Sequence, residues 1–264
     1  MSAKLMLMKP FLSIITINYN DLKGLKNTVS SVKAQSFKDF EFIIIDGGSN
    51  DGGKEYIESE AQHFAYWVSE PDKGIFNAQN KGIERARGEY LMFLNSGDIL
   101  CHENALKEFI EDPSFDGDII YGDYKYEKGE KIFADTLTPY YFMKTSLPHQ
   151  STLFHHRVFD RMGKYDESYA MSADRALYLK CLLSEEFKFL HITYPLVLFD
   201  LGGVSNSPEF HTKKQAEDER MHREYFGLYY EDMKALLEAN KEIARLQKET
   251  PKGLLKRVKN KLSK

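Results

Sequence analysis

Cysteine is almost absent from this chain: Cys101 and Cys181 are the only two in 264 residues. Neither has the CxxC or Cys/His spacing of a zinc site, and two thiols make no disulfide framework. Both are read as buried small hydrophobes in a reducing compartment. No stretch of about 18 uninterrupted apolar residues occurs, so no transmembrane helix is expected. The opening MSAKLMLMKP has no apolar run of signal-peptide length. The resulting expectation is a cytoplasmic protein. Net charge is also small, at −4, which gives no reason to expect a nucleic-acid partner. Neither a GxGxxG nor a GxxxxGK[ST] loop is present, which argues against dinucleotide dehydrogenases and P-loop enzymes. There is no internal repeat.

What the sequence does contain is a series of short apolar runs, each ending in a polar, glycine-rich segment. Phe11–Ile17 (FLSIITI) reads as a buried strand running into Asn18-Tyr19-Asn20. Leu22, Leu25, Val29 and Val32 then recur at helical spacing up to Ala34. Phe40–Ile45 is a second buried strand, ending at Asp46-Gly47-Gly48-Ser49. A short third strand is expected at Ala65–Val68, before Ser69-Glu70-Pro71-Asp72-Lys73. After a helix over Ile75–Ala86, Glu89–Leu94 forms a fourth strand that stops at Asn95-Ser96-Gly97-Asp98. Buried strands alternating with helices predict a parallel sheet covered on both faces. In such sheets ligands bind at the carboxyl edge, where all the polar segments fall.

Later regions are more mixed. A hairpin is expected from Asp118–Tyr126 and Lys131–Ala134 around Lys128-Gly129-Glu130. Helices at His156–Met162 and Ala173–Ser184 and a strand at Lys188–Phe199 follow, then a long charged helical stretch over 208–248. The organisation expected is one α/β domain over residues 1–207 and a helical C-terminal region with a basic tail over 208–264.

Several strand ends carry groups with chemistry. The Asp46 carboxylate can accept a nucleobase imide N–H, while Gly47 and Gly48 allow close backbone approach; an Asx turn is the plainer use of the same residues. Tyr19 is placed to stack on a base. Asp98 offers a carboxylate to a hard divalent cation, and Asn95 a carbonyl oxygen or a hydrogen bond to ribose. Asp174, in the first turn of a helix capped by Ser172, is favoured there by the helix dipole and is also a candidate general base. Asp72 and Lys73 lie on a loop able to close over ribose or phosphates. His149, Gln150, Asp166 and Glu167 are further polar candidates, and Gly202–Ser205 suits a loop that orders over diphosphate.

In their order, SIITINYN, FIIIDGGSNDGG, SEPDKGIFNAQNKGIERARGEYLMFLNSGD, LPHQSTLFHH and MSADRALYLK resemble family 2 of the inverting glycosyltransferases over about residues 11–205. The resemblance implies a GT-A fold, Rossmann-like, with a mostly parallel central sheet flanked by helices and a helical C-terminal tail. It implies base-binding roles for Thr16, Tyr19 and Asp46, and a donor-side loop at Asp72 and Lys73. Asn95 and Asp98 fall at the DxD metal motif, with Mn²⁺ or Mg²⁺ as cofactor, and Asp174 at the catalytic base. Two departures are Asn95 for the first carboxylate of that motif and Ala173-Asp174 for the frequent Glu-Asp. The implied partners are a nucleotide-sugar donor, with UDP favoured, and a glycan or lipid-linked saccharide acceptor of cell-surface polysaccharide synthesis.

The tail adds one more expectation. Lys252, Lys256, Arg257, Lys259, Lys261 and Lys264 accompany Leu254, Leu255, Val258 and Leu262 with no acidic residue. A basic amphipathic helix of this kind suits an anionic membrane face, whereas the charged helices before it suit a homo-oligomer contact. Two rival classes remain. A nucleotidyltransferase-like enzyme would need a phosphate-gripping first loop, which Asn18-Tyr19-Asn20 is not. A non-catalytic sugar-nucleotide binding protein would tolerate loss of the Asp174 carboxylate.

Overall fold

The computed structural model describes residues 9–199 and 208–249. The first four strands are β1 (Leu12–Asn18), β2 (Phe40–Asp46), β3 (Tyr66–Ser69) and β4 (Tyr90–Phe93). They alternate with helices α1 (Leu22–Lys33), α2 (Gly53–Ser59) and α3 (Ile75–Ile83). The order β3-β2-β1-β4 is parallel throughout. β1 is buried at all but one position, as a strand covered on both faces must be. α1 begins where Asp21 accepts the Gly24 N–H at 2.9 Å, and it buries Leu25, Val29 and Val32 on one face.

The second half changes character. β5 (Ile99–Leu100), α4 (Ala105–Ile110), β6 (Ile119–Tyr126), β7 (Gly129–Lys131) and α5 (Pro139–Lys144) precede β8 (Thr152–His155). Then come α6 (Arg157–Met162), α7 (Ala173–Ser184) and β9 (Phe189–Leu198). β8 pairs antiparallel with both β4 and β6, β9 runs parallel to β6, and β5 closes the far end against β9. The result is an α/β fold around one curled sheet.

Alternate residues divide between two cores. Ile15, Ile43, Phe93 and Phe154 join α7 on one face, while Ile14, Ile44, Met92 and Leu153 join Leu25, Val29 and Phe109 on the other. Each such fully buried side chain stabilises the fold by roughly 2 kcal/mol relative to exposure.

Three sequence expectations are adjusted. The stretch over 208–248 is two helices, α8 (Pro208–Phe226) and α9 (Tyr230–Glu249), split by a short turn at Gly227, whose φ is +50°. Met221, Phe226 and Tyr230 pack into the first core. The hairpin arm lies at Gly129–Lys131 rather than Lys131–Ala134, because the Phe133 N–H donates to Asp123 Oδ1 at 2.9 Å instead of extending the ladder. Finally, α2, α4, α5, β5 and β8 are too short to register as periodic runs.

Candidate active site

Parallel register sets Asn18 beside Asp46 and Asp46 beside Ser69, so three strand ends stand in one row at the carboxyl edge. Asp46 is fully buried. Its Oδ1 accepts from Asn18 Nδ2 at 2.7 Å and Ser49 Oγ at 2.6 Å. Its Oδ2 accepts from Ser69 Oγ at 2.6 Å and the backbone N–H groups of Ser49 at 2.9 Å and Gly48 at 3.2 Å. Burial alone would raise this carboxyl, but the Ser49, Ser69 and Asn18 donors outweigh it and hold Asp46 below its ordinary value. Asp46 is thus charged and braces the 47–49 loop from beneath.

Above it the Gly47 backbone is closely covered. A Cβ placed on Gly47 would sit 2.6 Å from Asp72 Oδ2 and 3.1 Å from Tyr19 Cδ2, so the Tyr19 ring and the Asp72 carboxylate both approach that bare backbone. Tyr19 is 68% exposed, its ring available to a flat ligand. Asp72 Oδ1 accepts the Gly74 N–H at 2.8 Å, and the exposed Lys73 follows it. Thr16, by contrast, is fully buried and donates to Leu94 O at 2.6 Å. That bond ties β1 to the chain leaving β4 and gives Thr16 a supporting place beneath the edge.

The 95–98 loop is anchored from the same side. Ser96 Oγ donates to Asn18 Oδ1 at 2.9 Å, so Asn18 joins the Asp46 loop to the Asn95–Asp98 loop. Thr28 of α1, also buried, donates to Asp98 O at 2.7 Å and accepts the Gly97 N–H at 3.1 Å. Gly24 is required here: a Cβ on it would lie 2.8 Å from Gly97 N. Among the described residues no group of three His, Cys, Asp or Glu forms a metal cage. Asp98 and the Asn95 amide nevertheless supply oxygen donors of the kind a hard divalent cation takes when substrate phosphates complete its shell. The donor set fits such a cation only together with a phosphorylated ligand.

Asn95 also reaches the second half of the molecule. Its Oδ1 accepts from Gln79 Nε2 at 3.3 Å, and its Nδ2 lies 3.1 Å from His149 Nε2. Burial pushes the His149 imidazole below its ordinary value, against the opposing pull of the Asp174 charge. Asp174 occupies the first turn of α7, where its carboxylate is favoured by the helix dipole. Ser172 precedes that helix, but its hydroxyl donates to Asp218 Oδ1 at 2.9 Å instead of capping. A chain of contacts therefore runs from Asp46 through Asn18 and Ser96 to the 95–98 loop and from Asn95 to His149, whose imidazole feels the Asp174 charge.

The remaining candidates stand further off. Glu167 accepts from Asn77 at 2.9 Å and Asn80 at 2.8 Å, tying α3 to the 165–167 turn. Asp166 Oδ1 accepts the Ser168 N–H within the same turn. Gln150 is buried next to His149. Gly202–Ser205 and Lys252–Lys264 lie outside the described residues. Sequence reasoning missed Asn18 and Thr28. The signal for Asn18 was its place ending β1 opposite Asp46; Thr28 had none beyond a polar residue on the apolar face of α1.

The fold is that of the GT-A glycosyltransferases. S. aureus TarS 1–349 in complex with UDP superposes with a TM-score of 0.62 at 18% identity, over 86% of this chain and 68% of that one. The mannosyltransferase PcManGT from Pyrobaculum calidifontis, in complex with GDP-Man and Mn²⁺, gives 0.60 at 14% identity, over 83% and 64%. Residues 13–165 match Glycosyl transferase family 2. An uncharacterized glycosyltransferase of Mycobacterium tuberculosis is 34% identical over 210 residues, 76% of this chain and 79% of that protein. A PGL/p-HBAD biosynthesis glycosyltransferase of Mycobacterium bovis is 26% identical over 213 residues, 75% and 80%. The chain belongs to glycosyl transferase family 2. No helix among the described residues is long and apolar enough to cross a membrane.

Proposed function

We propose that this glycosyltransferase moves a hexosyl group from a nucleotide diphosphate sugar, UDP being the favoured nucleotide, to a hydroxyl of a glycan or lipid-linked saccharide with inversion. The observation that carries the reading is the run of contacts joining Asp46, the 95–98 loop and the neighbourhood of Asp174. It draws on residues more than a hundred positions apart in the chain.

In this reading the nucleobase stacks on the exposed face of the Tyr19 ring, with Asp72 and Gly47 beside it. Asp46, fully buried and engaged by protein donors, holds the 47–49 loop in shape beneath the base instead of touching it, with Thr16 supporting β1. Lys73 and Asp72 approach ribose or phosphate, and Asn95 orients the ribose side. Asp98 would hold Mn²⁺ or Mg²⁺ jointly with the donor phosphates, and such an ion, when bound, offsets charge on the departing diphosphate. Asp174 takes the proton from the acceptor hydroxyl as that oxygen bonds to the anomeric carbon, opposite the breaking bond to the nucleotide. His149, neutral through burial, spaces Asn95 from Asp174.

Residues 1–207 form the catalytic unit in this proposal and 208–264 a helical region serving oligomer contact. The basic 252–264 segment rests on an anionic membrane at its cytoplasmic face, in cell-surface polysaccharide synthesis. Asp174→Asn tests the core of the reading: transfer is lost while UDP still raises the thermal midpoint in the presence of Mn²⁺. A substituted protein that transfers sugar at the parent rate would overturn it. Pelleting with anionic liposomes, with and without residues 252–264, checks the membrane contact.

A further inference from the structure

A second cleft, of about 380 Å³, lies beside the proposed transfer site. Pro148 and Gln150, which flank His149, line it, as does Arg175, the residue after Asp174. Its charge is one-sided. Lys131, Lys144, Arg175 and Lys214 line the cleft against a single lining carboxylate, Asp218. That carboxylate is shared, accepting from Arg175 Nη1 at 2.8 Å and from Lys214 Nζ at 3.2 Å. Lys131 Nζ instead rests over the rings of Phe133 and Tyr124, at 4.7 and 5.8 Å from their centroids.

The buried end of the cleft is short of acceptors. Arg175 is 5% exposed; its Nη1 donates to Asp218 and its Nη2 to Phe142 O, yet its Nε has no hydrogen-bond partner. The Ser146 hydroxyl on the same wall is likewise buried and unpartnered. A guanidinium nitrogen withdrawn from water without an acceptor is costly. The open Nε–H and hydroxyl call for ligand oxygens, and the lysines around them favour anionic ones. Arginine and lysine together match a phosphoryl group, which presents several acceptors at once. Tyr124, Phe133 and Phe199 add an apolar wall suited to the face of a sugar ring or an alkyl chain.

We propose that this cleft binds a phosphate or diphosphate carried by the acceptor, so that the acceptor is a phosphorylated saccharide whose free hydroxyl is presented towards Asp174. The inference rests on the reading of Asp174 as the transfer site. Binding at the cleft is separable from binding of the donor.

The test titrates glucose 1-phosphate, dodecyl diphosphate and neutral glucose calorimetrically into the full chain, with and without saturating UDP and Mg²⁺. The parent protein is compared with Lys131→Gln/Lys144→Gln, whose two side chains are exposed. Both phosphorylated probes are expected to bind the UDP-loaded parent and to bind the variant at least about tenfold more weakly, with UDP affinity unchanged. A stronger dodecyl diphosphate signal assigns the phosphoryl group to a lipid carrier, and equal signals assign it to a soluble saccharide phosphate; either supports the cleft. Equal binding of the probes by parent and variant, no binding to the UDP-loaded parent, or equal binding of neutral glucose would overturn it. Absence of UDP binding strikes the donor site alone, since the titrations without UDP still report on the cleft.

Discussion

At the β3-β2-β1-β4 edge, five protein donors converge on Asp46, and the Asn18 amide is engaged at both ends. Between residues 123 and 178 the opposite holds: Asp123 Oδ2, Ser146 Oγ, Ser151 Oγ, Tyr165 OH and Arg175 Nε are all buried without a partner. The parallel half is internally satisfied and therefore rigid; its polar groups organise loops. The mixed half carries unmet polarity, each instance costing about 1–3 kcal/mol. In the function proposed above, this contrast would separate a preformed donor edge from a region completed by what it binds.

The contrast makes predictions of decreasing size. Asp174→Asn, at the border of the two halves, should lower the transfer rate by roughly 10³-fold in a donor-saturated assay, with UDP affinity within about twofold. Asp46→Ala should act on stability first. It strands the Asn18, Ser49 and Ser69 donors in a buried place, and urea denaturation should show a loss of about 3 kcal/mol. If that loss is negligible, the parallel edge is not the rigid half.

Gly47→Ala is the milder counterpart. The added methyl meets Asp72 and the Tyr19 ring, so UDP affinity should fall about tenfold by calorimetry while the urea midpoint stays near the parent value. The smallest effect belongs to α8 where it meets the mixed half, at the contact of His222 with Phe142 O. Burial, assisted by the Arg175 charge, holds His222 below its ordinary value of 6.5. The unfolded chain then takes up the proton at higher pH than the folded one. Its contribution to stability is complete above pH 6.5 and is lost as pH falls below it. Asp46, held below 3.8, keeps its contribution until pH falls through and below that value. Thermal midpoints recorded from pH 7 to 5 should decline in the parent and decline less in His222→Gln, where the buried His149 still contributes.

Legibility from sequence follows the same division. FLSIITI and FEFIII announced buried strands, and the residues ending them announced the edge, because both faces of a parallel strand must be apolar. β8 and β5, with four and two residues, carry too little pattern to be seen, so the antiparallel continuation of the sheet was not foreseen. Asp46, Asp98 and Asp174 stood out as carboxylates in motif-like settings. Their connectors did not, because Asn18 and Thr28 matter through register and packing, which exist only once the strands are paired. His149 was visible as a polar candidate in LPHQ, but its contact with Asn95 spans 54 positions of chain.

Asn18 has one more consequence. Its side chain gives a proton at one end and receives one at the other, so it fits between the Asp46 and Ser96 loops in one orientation only. Turning it end for end would set oxygen against oxygen at Asp46 and take the acceptor away from the Ser96 hydroxyl. Aspartate has the same outline but would place two negative charges in contact. The nearly isosteric replacement is therefore a disruptive one, and tolerance at this position is governed by the direction of an amide as well as by its size.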